Sequence, residues 1–192
     1  MRIIIAGILG GIALFSWGGI WHEVLPFQLN GLRSLPTEQA LETKGKLPDA
    51  GVYISPGYNV PDGAPFAARL HSMRELARTR TEEPRQFLVY HPVAQPISAL
   101  PFVIEFVTNV IQALIAGFLV AQARLQRYSS RLGFIVVLGL LASITTNISF
   151  SNFYGFPAGF VTTNMIFVAI GYFIVGLIVA AIVKTPVSKA TV

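Results

Sequence analysis

The sequence contains no cysteine. Disulfide staples, thiolate metal sites and cysteine nucleophiles are therefore excluded. Charge is scarce as well: 12% of residues are Asp, Glu, Lys or Arg, against 53% hydrophobic, and the mean hydropathy is +0.62. That balance lies far from an ordinary water-soluble domain. Acid is scarcest in the long apolar stretches, where Glu105 stands alone. Signature loops are missing too. There is no GxxxxGK[ST], GxGxxG, GxSxG or HExxH, so phosphate cradles, dinucleotide folds, serine elbows and zincin sites have no motif to rest on. The run GYNVPDG at 57–63 is turn chemistry.

What is present is a set of four apolar runs, and about 20 such residues suffice to cross a bilayer. The first membrane helix is read at 1–21, and its apolar run from Ile3 to Trp21 has Ser16 as its one clearly polar member. Its only small-x-small site, Ser16-Trp17-Gly18, is followed by bulky Ile20 and Trp21. The reading is therefore a retained anchor rather than a cleaved signal. Gly7 and Gly11 form a GxxxG pair, a spacing that lets helices approach closely but also recurs by chance. The other three spans are expected at about 101–122, 132–150 and 163–183, with a tail at 185–192. The fold class read from this is an α-helical membrane protein of four transmembrane helices, with a small α+β extracytoplasmic domain at 22–99 between helices 1 and 2.

That inserted segment belongs to another solvent regime. It holds eight basic and eight acidic residues and nine of the twelve prolines. A short helix from about Pro36 to Thr43, a strand Gly51–Ser55, a helix 65–80 and a second strand Phe87–His91 are expected from start signals, alternation and periodicity. Phe66, Leu70, Met73 and Ala77 share one stripe of the longer helix, expected to cover strands carrying Val52, Ile54, Leu88 and Tyr90.

Orientation follows from the basic residues. Arg2, Arg124, Arg127, Arg131, Lys184 and Lys189 fall on one side of four spans, with no acid among them. The positive-inside rule then places both termini in the cytoplasm and the 22–99 segment outside. The net charge of +5 is accounted for by topology, and no nucleic-acid partner is expected.

The polar membrane residues crowd toward the outer ends of the helices. Glu105, Asn109 and Gln112 follow at i, i+4 and i+7 on one helical face. Ser143, Thr145, Thr146, Asn147 and Ser149 lie near the end of the third span, Thr163 and Asn164 open the fourth, and His22 and Glu23 close the first. A charge in hydrocarbon is costly and usually faces a bundle interior, a partner or water. The candidate outer-leaflet site is therefore Glu105, Asn109, Gln112, Asn147, His22, Glu23 and His91. One reading is structural, since Ser, Thr and Asn bond between helices. A second is a site for a ligand, a lipid headgroup, a proton or a metal. A third is contact with a partner subunit. His22, His71 and His91 have no metal-binding spacing, although His22, His91 and the two glutamates could meet at the membrane surface. No catalytic residue, cofactor or metal site is assigned.

Several blocks together, HEVLPFQL at 22–29, DAGVYISPG at 49–57, FLVYHP at 87–92, IEFVTNVIQALIA at 104–116 and FSNFYGFP at 150–157, resemble a group of small, uncharacterised bacterial four-helix integral membrane proteins. The resemblance spans most of the chain. It implies the four-helix architecture and brings no activity, cofactor or catalytic residue. The leading expectation is a non-enzymatic accessory, assembly or scaffold subunit, with membrane lipid, other membrane subunits or a second copy as partners. The alternatives are a transporter or channel subunit, and an enzyme or binding protein for a lipid or quinone at the outer leaflet.

Overall fold

The computed structural model describes residues 1–25, 32–36, 38, 46–47, 49–55, 60, 63–79, 86–93, 96 and 98–184. These fall into two compact units, one formed by 1–33 with 97–192 and the other by 34–96.

The first unit is a bundle of four long helices. Helix α1, Arg2–Gly19, widens at its end into a π-helical turn, Ile20–Val24, closed by the Leu25 N–H on the Ile20 carbonyl at 3.0 Å. Helix α3, Leu100–Ala123, tolerates Pro101 because that position lies in its first turn, where an N–H has no partner in any case. Helix α4, Tyr128–Tyr154, ends at Gly155, whose φ of 72° is left-handed. The Gly155 N–H returns to Ser151 and the Phe156 N–H to Phe150, the paired closure that glycine supplies at a helix end. Helix α5, Ala158–Ile182, starts directly after Pro157.

All four helices are long and apolar enough to cross a membrane. Between 22% and 28% of each apolar window is buried within the chain. Most of the apolar surface therefore faces outward, where water would not tolerate it. This is the pattern of a multi-pass membrane protein.

Small residues bring the helices together. A Cβ built on Gly11 would stand 2.6 Å from the Val110 Cα and 2.8 Å from its backbone nitrogen, and one on Gly7 would overlap Leu114. The GxxxG pair is thus the contact surface between α1 and α3. Gly171 admits Leu14 and Trp17 of α1, and Gly139 admits Tyr172 between α4 and α5. The core is correspondingly fine-grained, built on Ala6, Ala113, Ala116, Val120, Ile135, Val175 and Val179. Lipid tails are as apolar as leucine, so close packing rather than burial from water holds such a bundle. Helix α1 packs on α3 and α5, and α4 packs on α5. By contrast, α3 and α4 scarcely touch, which leaves one seam of the bundle open.

The second unit contains an antiparallel ribbon of β1, Gly51–Ser55, and β2, Gln86–Tyr90, with Tyr53 opposite Leu88 and Val52 opposite Val89. Helix α2, Phe66–Thr79, lies between them in sequence. The expected strands therefore pair. The expected cover does not form: Phe66 is 79% and Met73 48% exposed. In this register Val52 and Ile54 lie on the opposite face from Leu88 and Tyr90, because neighbouring residues of a strand alternate sides. Tyr53, not Val52, meets Tyr90, with ring centroids 6.3 Å apart. The expected 36–43 helix lies outside the described residues, apart from Pro36 and Glu38.

Two helix boundaries also move. Helix α4 starts a turn earlier than residue 132, and α5 begins at 158 rather than 163. The aromatic stretch 151–162 is therefore mostly helical, and Gly155–Pro157 alone forms the turn.

Candidate functional site

The open seam leads into a cavity of about 480 Å³ within the helical unit. Helix α3 contributes Glu105, Asn109 and Gln112 to its wall, α4 contributes Thr146, Asn147 and Phe150, and α5 contributes Asn164, Phe167 and Tyr172. Leu14 and Gly18 of α1 form the back, and Phe156 of the α4–α5 turn joins Phe160 at the side. The i, i+4, i+7 spacing on α3 does place its three polar residues on one cavity-facing stripe.

Hydrogen bonding within the cavity is sparse. Asn147 and Asn164 each donate an amide N–H to the carbonyl four residues back, at 2.9 and 3.1 Å. Each amide keeps further capacity. The Tyr172 hydroxyl donates across to Gln112 Oε1 at 3.5 Å, a long and weak contact. Asn109 differs from the rest. It is only 4% exposed, lines the cavity, and has no hydrogen-bond partner among the described residues. No fully buried side-chain polar atom among the described residues lacks a partner, so the Asn109 amide opens onto the cavity, where an external group can bond it. Glu105 is exposed at the rim and makes no hydrogen bond or ion pair with a described residue.

The aromatic wall is internally braced. Phe150 and Phe156 stack at 5.2 Å with an interplanar angle of 11°, and Phe160 meets Phe156 edge-on at 5.4 Å. Behind Phe167 lie Trp17, Trp21 and His22, and the Trp17 indole donates to the Phe167 carbonyl at 3.1 Å.

Four of the seven expected site residues therefore come together: Glu105, Asn109, Gln112 and Asn147. His22 packs its ring against Phe167, 5.5 Å between centroids, outside the lining. Glu23 is exposed on the π-helical turn and does not line the cavity. His91 belongs to the other unit. Among the described residues, no three His, Asp or Glu gather where they could hold a metal ion.

Sequence reasoning passed over two features. Arg131 counted only toward the basic flank, yet it is 5% exposed. Its Nε donates to the Ala180 carbonyl at 2.9 Å, and its Nη1 to the carbonyls of Leu125 and Gln126. It ties the start of α4 to the α3–α4 loop and to the last turn of α5, where a cation also suits the helix dipole. The other feature is the aromatic wall, whose signal was the phenylalanine-rich block at 150–160.

Comparison with protein-family models, with curated proteins and with solved structures finds no match. The resemblance to the small bacterial membrane group rests on the sequence blocks alone.

Proposed function

We propose that this chain is a non-enzymatic binding component of a bacterial inner membrane, with a small-molecule site in the outer half of its helical bundle. The observation that carries this reading is the convergence of three helices' polar residues on one cavity around Asn109, whose amide opens onto it and bonds no other described residue. The volume of about 480 Å³ suits a small ligand, and such sites are usually apolar with a few converging polar groups. Function as an accessory subunit is compatible with this role. The lack of a catalytic motif and of a gathered set of ionisable groups among the described residues favours binding over chemistry.

The orientation belongs to the same proposal. Arg2, Arg124, Arg127 and Lys184 join Arg131 at the bundle end away from the cavity, and none has an acid beside it in the connecting segments. The positive-inside rule assigns that end to the cytoplasm, so both termini are cytoplasmic, 34–96 is extracytoplasmic and the cavity lies in the outer leaflet.

The absence of cysteine makes the test clean. Single cysteines are placed at Ser34, Ser130 and Thr146 and exposed to a small impermeant thiol reagent on intact spheroplasts. The reading expects Ser34→Cys and Thr146→Cys to label and Ser130→Cys to stay unlabelled until the membrane is opened. Labelling of Ser130→Cys on intact cells, or protection of Thr146→Cys, would overturn it.

A further inference from the structure

Below the polar cavity, the seam between α3 and α4 continues as a second space of about 190 Å³. Ile115, Ala116 and Leu119 of α3 and Leu138 of α4 line it. It shares Gln112 and Tyr172 with the cavity above. A polar chamber thus adjoins an apolar slot, and both are lined by α3 and α4, which scarcely touch each other.

The charge pattern narrows the head of any occupant. Among the described residues, the cavity lining includes one carboxylate, Glu105, and no Lys, Arg or His. A phosphate would find no cation and would face a like charge, an arrangement that charge-assisted recognition of phosphate normally avoids. The remaining polar groups are amides, Thr146 and the Tyr172 hydroxyl, which recognise uncharged carbonyls and hydroxyls. The flat rings of Phe150 and Phe156 add faces on which a planar head can stack.

Building on the proposed cavity function, we infer that cavity and seam together hold one amphiphile with an uncharged, hydrogen-bonding head and a single apolar chain, admitted sideways from the bilayer between α3 and α4. Asn109 bonds the head. The Gln112–Tyr172 pair, 3.5 Å apart, marks where head gives way to chain. Two membrane sources share this chemistry, a quinone ring on an alkyl or isoprenoid chain and a glycerol head on an acyl chain.

The protein carries its own reporter, since it has only two tryptophans and Trp17 stacks on the cavity residue Phe167. Purified full-length protein in mild detergent is titrated with four probes: a decyl benzoquinone, the same quinone without its chain, monodecanoylglycerol and the single-chain (lyso) decanoyl phosphatidic acid. Tryptophan quenching reports the quinones, and the melting temperature reports all four. At least one chain-bearing neutral probe is expected to bind saturably, and which one binds identifies the source. Phosphatidic acid is expected to bind at least tenfold more weakly, as is a head without its chain. Leu138→Trp, which fills the slot and is read by melting temperature because it adds a third tryptophan, is expected to weaken a chain-bearing probe tenfold and leave the chainless quinone unchanged. Asn109→Leu, or the milder Asn109→Ser if the former folds poorly, is expected to weaken every neutral probe. Equal binding of phosphatidic acid, or of the chainless quinone with no effect of Leu138→Trp, would overturn the inference, as would failure of both chain-bearing neutral probes. Thiol access to Thr146→Cys does not depend on these titrations, so the amphiphile inference can fail while the cavity reading stands.

Discussion

The same small change, glycine to alanine, should have opposite signs at two places in this bundle. At Gly133 a new Cβ meets nothing within 4 Å. The gain is then that of replacing glycine by a good helix former, about 1 kcal/mol. At Gly11 the new Cβ would lie 2.6 Å from the Val110 Cα and 2.8 Å from its nitrogen. Both are backbone atoms, so no rotamer change relieves the overlap, and α1 must move away from α3 by about 1 Å to restore contact distance. Forced overpacking costs about 1–3 kcal/mol, and the separation also loosens the neighbouring contact of Gly7 with Leu114. After subtracting the helix-propensity gain, Gly11→Ala should be destabilising by up to about 2 kcal/mol. Gly7→Ala should cost less than Gly11→Ala, because the nearest atoms of Leu114 belong to a side chain that can turn aside. Thermal unfolding of the purified variants in one detergent ranks them. If Gly11→Ala melts at or above Gly133→Ala, α1 and α3 do not approach through the GxxxG pair and the packing described above is wrong.

Arg131→Ala should destabilise by about 3 kcal/mol or more, since it removes charged donors from three carbonyls; Arg131→Lys should recover only part, because an ammonium cannot reproduce the guanidinium fork, and detergent melting curves measure both. Gly155→Ala should cost about 1 kcal/mol by forcing a side chain into left-handed backbone, whereas Arg124→Gly, at a φ of 52°, should be neutral or mildly stabilising by the same logic. Glu105→Gln should leave the melting temperature nearly unchanged, because the carboxylate sits exposed at the cavity rim without a partner among the described residues; a large loss would mean that its charge holds the fold.

Much of the helical unit was legible from composition and spacing. Four apolar runs long enough to span a bilayer leave little choice of architecture, and the 3.6-residue period puts Glu105, Asn109 and Gln112 on one stripe of α3 whatever the tertiary fold. Asn147 was placed with them by its level along the span, but Thr146 and Asn164 could not be singled out as facing the same space, because no local pattern sets the rotation of α4 and α5 about their axes. It follows from which helices pack through glycine, and Gly139 and Gly171 decide that only once their partners are known. The second role of Arg131 was not legible for a related reason: a basic residue beside an apolar run signals orientation, while its capping of α5 depends on a helix end about fifty residues away. His22 lies on the π-helical turn with its ring against Phe167, a placement that no local sequence pattern signals. In the second unit, alternation marked both strands, but pairing register rather than alternation decided that Tyr53 meets Tyr90.

The central claim is that the cavity around Asn109 is a binding site, and native mass spectrometry of the protein released from its own membrane in mild detergent tests it most directly. The account predicts a small molecule of defined mass retained one to one on the wild-type chain and on Glu105→Gln, and lost from a folded Asn109→Leu variant. A wild-type chain that carries no bound mass, or an Asn109→Leu chain that retains the same mass in the same proportion, would contradict it.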